Sequence, residues 1–215
     1  MPRLFTYSAL ILRVRPSGES NREAWILTAE EGILRATVFG GPKSKLRAYV
    51  EPYHGGTLWI YRDPERDSRK ITDFDVQSWN PGIRERYERS AAAAAIAETI
   101  LAAYGGGGPW QHAFTLADAS FGALETADEP CCARIFIHFL WHWADILGIR
   151  PDLDEEGAHD PLGPGARKWL EAVRELDPSQ ISRYNLDGVS VRQARAFVTG
   201  IIGEALGKWL GTWDF

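Results

Sequence analysis

Apolar and polar residues alternate through the first eighty positions of the chain and then recur at helical spacing. Over residues 4–15, Phe5, Tyr7, Ala9 and Ile11 fall on one face and Thr6, Ser8, Leu10 and Leu12 on the other. Both faces carry apolar side chains, as a strand in a small closed barrel does. Pro16-Ser17-Gly18 turns the chain. Residues 24–28 predict a second strand, Glu30-Glu31-Gly32 a tight reversal, and residues 33–39 a third strand stopped by Gly40-Gly41-Pro42. A longer connection over residues 43–52 leads to strands at 57–61 and 70–76, which a charged loop joins.

Beyond residue 80 the period changes. Asn80-Pro81 predicts a helix start, with Asn as cap and Pro at the first helical position. Residues 83–104 are alanine-rich and stop at Gly105. Trp110, Phe114, Ala117, Phe121 and Leu124 make one stripe of an amphipathic helix, and residues 131–147 are apolar nearly all round, ending at Gly148. A helix over 166–176 follows, then a short one capped by Asp177-Pro178. A last helix over 190–210 opens with a Ser190-x-x-Gln193 capping box and buries Ala194, Phe197, Ile201 and Ala205. The expected fold is α+β: a five-stranded β-barrel over 1–79, then an all-α helical domain over 80–215. Five short strands with one longer basic connection predict an OB-like Greek-key barrel; on pattern alone an SH3-like barrel stays open.

Charge changes the picture more than composition does. The 215 residues are 45% hydrophobic with nine tryptophans, which suits a fully folded protein, and the net charge of −5 argues at first against a polyanionic ligand. By segment, residues 1–79 hold 12 Lys plus Arg against 10 Asp plus Glu, and residues 80–215 hold 12 against 19. The barrel is thus at +2 and the helical part at −7. Any nucleic-acid surface belongs on the barrel, and its binding should weaken readily with salt. No apolar run reaches the roughly 18 residues of a membrane span. The opening Met1-Pro2-Arg3-Leu4 carries no secretory signal, so a cytoplasmic, nucleoid-associated protein is expected.

Catalytic and metal chemistry find little support. Phe39-Gly40-Gly41-Pro42-Lys43-Ser44-Lys45 fails the spacing of a phosphate loop. His138 and His142 share a helix face but have no Glu beside the first His, so hydrogen-bonded core histidines are expected. Cys131 and Cys132 are adjacent on a helix, where their side chains diverge, and are poor disulfide partners. The acidic run over 152–156 reads as a solvated loop. No nucleophile–base pair or paired carboxylates stand out, so no enzyme, cofactor or metal is expected. Lys43, Lys45 and Arg47 are the first choice for phosphate contacts, and Arg13, Arg15, Arg22 and Arg35 the second. Trp25, Tyr53, Trp59 and Tyr61 supply flat rings for base stacking, although alternation places some of them inside the barrel.

The ordered set Gly18-Glu19-Ser20, Leu27-Thr28-Ala29-Glu30-Glu31-Gly32, Lys43-Ser44-Lys45-Leu46-Arg47 and Glu51-Pro52-Tyr53 resembles the N-terminal domain of the RecO family of bacterial recombination mediators. The likeness continues in Leu147-Gly148-Ile149-Arg150-Pro151-Asp152-Leu153 and in the closing Gly203-Glu204-Ala205-Leu206-Gly207-Lys208-Trp209-Leu210, and so spans most of the chain. The resemblance implies a protein that binds single- and double-stranded DNA and anneals complementary strands. It also implies work with RecR, and in some bacteria RecF, to load RecA onto strands coated by single-stranded DNA-binding protein (SSB). The helical domain would recognise the acidic SSB tail; Arg134, Arg150, Arg192 or Arg195 would supply the cationic rim. Many members carry a cysteine zinc site after the Gly-x-x-Pro-x-Leu segment. Here residues 152–159 hold no cysteine, so no zinc is expected. The chain is short for the family and its helical part acidic, which leaves the barrel as the expected DNA surface. The rival reading, drawn from the acidic total charge, is a protein-interaction adaptor that never touches DNA.

Overall fold

Each predicted strand is present, and all but the third, which is shifted by one residue at equal length, run longer than their apolar pattern marks, because the flanking polar residues keep pairing beyond the core. The computed structural model describes residues 3–41, 44–103, 108–153 and 162–215. The strands are β1 (Leu4–Ser17), β2 (Asn21–Thr28), β3 (Gly32–Val38), β4 (Gly55–Asp63) and β5 (Ser68–Ser78). They close in the order β1-β2-β3-β5-β4. Every pairing is antiparallel except the seam, where β3 meets β5 in parallel at Thr37–Lys70 and Val38–Ile71. A five-residue helix, α1 (Lys45–Tyr49), lies in the connection between β3 and β4. The sequence pattern leaves that connection as a loop, because one helical turn is too short to show a period. The closed five-stranded barrel is OB-like.

Inward-facing residues fill the barrel: Tyr7, Ala9 and Ile11 of β1, Ala24 and Ile26 of β2, Leu34, Ala36 and Val38 of β3, Leu58 and Ile60 of β4, and Ile71 and Phe74 of β5. Fully burying one such large side chain contributes roughly 1.5–3 kcal/mol. The outer side of β1–β3 carries a second apolar row, Leu10–Leu27–Ile33, in register across the strands and buried. The start of α3 (Trp110–Leu124) covers that side: a side chain at Gly32 would run into the Trp110 ring, and one at Gly55 would meet Asp118. Burial raises the Asp118 carboxyl above its ordinary range.

Contacts divide the chain into two compact units, one of Met1–Asn80 with Tyr104–Asp118 and one of Pro81–Ala103 with Ala119–Phe215. The second unit is helical, with α2 (Tyr87–Ala102), α4 (Glu129–Ile146), α5 (Pro164–Ala172) and α6 (Gly188–Leu206). The apolar segment at its centre is α4, which buries Ile135, Phe136, Ile137, Phe139, Leu140, Trp141 and Trp143 and packs against α2 and α6. Alanines at 92, 93, 95 and 97 give α2 its buried face. Thr99 Oγ1 donates to Ala95 O and accepts from Trp213 Nε1.

Three local expectations need correction. Asn80 does not cap a helix: it takes φ 43 and donates from Nδ2 to Tyr53 O. Pro81–Glu85 is a 3-10 turn, and α2 begins only after Arg86 has returned to extended backbone. The cap of α6 is Asp187, not Ser190. Its carboxylate accepts from the Val189 and Ser190 backbone N–H groups and from the Ser190 hydroxyl. Consequently α6 starts earlier than expected and buries Ala194, Val198, Thr199 and Ile202, while Phe197 and Ile201 are half-buried and Ala205 is exposed. It stops at Gly207, whose φ of 64 provides a left-handed C-cap.

Both α4 histidines are hydrogen-bonded, His138 in the core and His142 half-buried. His138 Nε2 bonds to Leu176 O at 2.8 Å, His142 Nε2 to Val173 O at 3.4 Å, and their rings lie 4.3 Å apart. Burial, and then the neighbouring His142, push His138 down to about 4. Both cysteines are free and buried, and burial pushes the Cys132 thiol up to about 11, which makes it a poor nucleophile at neutral pH.

Two outcomes are expected. Gly32→Ala puts a side chain where φ is 75 and the Trp110 ring is 2.3 Å from the new Cβ, so the urea midpoint should fall by the equivalent of about 2 kcal/mol or more. In the unfolded chain His138 protonates near 6.5, but in the folded chain it stays neutral to about 4. The unfolded state therefore binds more protons between those values, and stability falls as pH drops through them. Relative to pH 7 this is on the order of 2 kcal/mol at pH 5, and His138→Gln should flatten that slope.

Candidate nucleic-acid interface

A β-bulge decides which side of β1 its arginines occupy. Ile11 pairs with Ile26 and Arg13 with Trp25, so Leu12 is an extra residue with no partner on β2. Before the bulge Tyr7, Ala9 and Ile11 face the core; after it Val14 does, and Arg13 and Arg15 turn outward. On β2 and β3 the inward Ala24, Ala36 and Val38 leave Glu23, Trp25, Arg35 and Thr37 outside.

Register then assembles two rows. One reads Arg13–Trp25–Arg35 across β1, β2 and β3. The next reads Arg15–Glu23–Thr37 and crosses the seam to Lys70 and on to Tyr61 of β4. The Arg15 and Arg35 guanidinium carbons lie 5.5 and 5.2 Å from the Trp25 ring centroid, and Lys70 Nζ lies 5.1 Å from that of Phe39. Each such contact is worth about 0.5–1 kcal/mol at an exposed site. Phe39 is 47% exposed. Arg35 also reaches both oxygens of Glu23 at 2.8 Å, which fixes its plane. The face thus holds four cations against one carboxylate, interleaved with the rings of Trp25, Phe39 and Tyr61.

The remaining predicted residues are placed elsewhere. Arg22 Nη1 meets Glu51 Oε1 at 2.5 Å, and Arg47 Nη1 donates to Ser20 O at 3.1 Å. Together they tie α1 to the β1–β2 turn. Lys45 is exposed on α1, and Lys43 lies outside the described residues. Trp59 and Tyr61 are on the outer side of β4, where Tyr61 accepts from Arg3 Nη1 at 3.1 Å. Tyr53 sits at φ 72.

Two further groups leave no mark in the sequence pattern. Lys70 and Phe39 join the face only through the seam, which no local pattern reveals. The other group is a network at the β4–β5 end. Arg62 donates from Nη2 to both Tyr7 Oη and Glu31 Oε2 and stacks 4.5 Å from the Phe5 ring centroid, while Tyr7 Oη donates to Glu31 Oε1 at 2.9 Å. Burial, and then the bond to Glu31, push the Tyr7 phenol up to about 12. Burial alone would raise Glu31, but its bonds from Arg62 and Tyr7 outweigh that and hold it below the ordinary carboxylate range.

In the helical unit, the arginines considered for a partner tail do not gather. Arg134 is buried and donates to Asn185 Oδ1 at 3.0 Å, and Arg195 donates to Phe215 O at 2.7 Å. Arg150 pairs with Asp145 at 3.0 Å and stacks 5.5 Å from the Trp141 ring centroid. It lines a cavity of about 340 Å³ with Arg174 and Leu170, but Asp145, Asp152 and Glu171 share that lining. No group of three or more His, Cys, Asp or Glu able to hold a metal ion occurs among the described residues. None of their helices is long and apolar enough to cross a membrane.

These features define a class: an OB-type barrel with a cationic, aromatic outer face, carried in one chain with an α-helical unit. Residues 1–78 match the family model "Recombination protein O N terminal", and residues 84–169 match "Recombination protein O C terminal". The chain belongs to the RecO family. It is 31% identical over 168 residues to the DNA repair protein RecO of Rubrobacter xylanophilus, a match covering 76% of this chain and 66% of that protein. With the DNA repair protein RecO of Pelotomaculum thermopropionicum it shares 27% over 154 residues, covering 71% and 58%. The chain thus spans between half and two thirds of the length of the relatives it matches.

Arg47 and Arg15 should separate in a stability measurement. Arg47→Ala removes the bond to Ser20 O and should lower unfolding free energy by about 1–2 kcal/mol, whereas Arg15→Ala loses only its contact with the Trp25 ring and should cost at most about 0.5–1 kcal/mol.

Proposed function

We propose that this chain is a DNA-annealing mediator of recombinational repair, and that strands lie across the outer face built by Arg13, Arg15, Trp25, Arg35 and Lys70. The observation that carries this reading is the register of the two rows, which interleaves four cations with flat rings on one side of the barrel. The strand 2–3 face is where OB-type barrels generally hold oligonucleotides. The names of the relatives, each a DNA repair protein RecO, support the repair setting.

The chemistry is non-covalent. Guanidinium and ammonium groups screen phosphates, so two polyanions can approach each other. Trp25 and Phe39 hold bases by their faces, which leaves the pairing edges free. Lys45, Arg47 and Arg22 lie outside the two rows and would add peripheral phosphate contacts as a strand leaves the face, and Lys43 is proposed as a further phosphate contact. Partners implied by the family resemblance are RecR, in some bacteria RecF, and the SSB tail, with RecA loaded on the strand that SSB vacates. The helical unit would carry those protein contacts.

The test is oligonucleotide affinity against salt for the wild type and for Arg13→Ala/Arg15→Ala/Lys70→Ala. Each phosphate contact adds about 0.7 to the slope of log K against log salt on a single strand. The triple variant should therefore lose about 2 from that slope and more than tenfold in affinity. Trp25→Ala should weaken binding with the slope unchanged. Salt-insensitive or absent binding by the folded wild type would overturn the proposal and leave a protein-interaction adaptor as the better reading.

A further inference from the structure

The β4–β5 end of the barrel holds a pocket of about 410 Å³, whose lining includes Arg3, Phe5, Arg62, Asp63, Asp67 and Arg69. That volume lies within the range of small-ligand sites, roughly 300–1,000 Å³. We infer that this pocket is a single-nucleotide subsite, taking one base against the Arg62–Phe5 stack and its phosphate on Arg3 and Arg69. The assignment rests on the strand-binding reading for its biological ligand and adds to the open face a concave place where one base leaves the strand.

Arg62 is held before any ligand arrives. Glu31 and Tyr7 grip its guanidinium from one side and the Phe5 ring supports it from another, so its plane is fixed. A fixed guanidinium plane is a stacking surface for a nucleobase that costs little further ordering. The Nε–H groups of Arg62 and Arg69 are buried and have no acceptor in the protein. Both Nε atoms are closed to solvent, so a ligand would be met by the other guanidinium atoms that line the pocket. The Arg3 guanidinium donates to the neutral Tyr61 hydroxyl, and its backbone carbonyl accepts from the Arg62 N–H.

The carboxylates choose between a nucleotide and a bare anion. Asp63 and Asp67 share the lining, and both repel phosphate. They are suitable acceptors for the exocyclic amine of a base, as carboxylates are for cytosine N4. An inorganic phosphate would leave the flat Arg62–Phe5 stack and these acceptors unused. A base bearing both an amine and a phosphate uses all three kinds of group.

The experiment is a titration of the ¹⁵N-labelled chain with dCMP, deoxycytidine or inorganic phosphate, followed by backbone amide and arginine Nε–H shifts. The expected result is saturable shifts at Asp67, Ser68 and the Arg62 and Arg69 Nε–H groups, with dCMP binding several-fold more tightly than either fragment. Arg69→Gln should weaken dCMP roughly tenfold. Phe5→Leu, which keeps an apolar side chain in place, should weaken dCMP and deoxycytidine alike while sparing phosphate. The Arg13→Ala/Arg15→Ala/Lys70→Ala variant should keep the dCMP shifts while losing oligonucleotide affinity. Equal affinity for dCMP and inorganic phosphate, shifts confined to the Trp25 face, or indifference to Arg69→Gln would each overturn the subsite. A chain that binds oligonucleotides but not dCMP loses the subsite alone; one that binds dCMP here but no oligonucleotide loses the strand-binding reading alone.

Discussion

One extra residue in β1 sets the character of the barrel's surface. Ile11 and Leu12 are both buried, yet they point to opposite sides, and the strand resumes its pairing at Arg13 with its phase reversed. Without that slip Arg13 and Arg15 would continue the inward series of Tyr7, Ala9 and Ile11, where an unpaired guanidinium cannot be accommodated. With it, Val14 plugs the end of the core, and two arginines join Trp25 and Arg35 outside. The increased local twist that accompanies a bulge also helps a small sheet curl into closure.

The outer side of β1–β3 is then divided by position along the strands. Nearest the β2–β3 turn, Leu10, Leu27 and Ile33 form an apolar row over which Trp110 of α3 packs against Gly32. Two residues further along, the row changes to Arg13–Trp25–Arg35. Alternation along a strand supplies side chains to a face, but register across strands determines whether a row is greasy or charged. A shift of β2 by two residues would bring Trp25 opposite Leu10's end of the sheet and mix the two rows. Gly32 and the Thr28 hydroxyl, which donates to Gly32 O at 2.8 Å, pin the turn that fixes this register.

The fold was largely legible because five alternating runs separated by turn residues leave few architectures, and an alanine-rich helix after Asn80-Pro81 marks the change of class. The details that went astray share a cause. A bulge between two apolar residues leaves no trace in a period of two, so the sidedness of Arg13 and Arg15 could not be read. Lys70 joins Thr37 across more than thirty residues of sequence, and no local window contains both. Arg22 and Arg47 look like any exposed cations until Glu51 and the Ser20 carbonyl are brought to them by α1. At α6 two capping residues stand three apart, and Asp187 prevails because its carboxylate accepts from two backbone N–H groups and a hydroxyl at once.

The parallel seam has a consequence of its own for how the barrel breathes. The antiparallel strands run against each other for long stretches, whereas among the described residues β3 and β5 pair at just Thr37–Lys70 and Val38–Ile71. The hairpins flanking the seam are local in sequence and form cheaply, while the seam must close a long intervening segment for little contact. It is therefore the joint that forms last and opens first, and its amides are expected to exchange with solvent ahead of those in β1 and β2. Lys70 and Phe39 sit on either side of that joint. The charged face is thus stiff across β1 and β2 and more yielding where β3 meets β5.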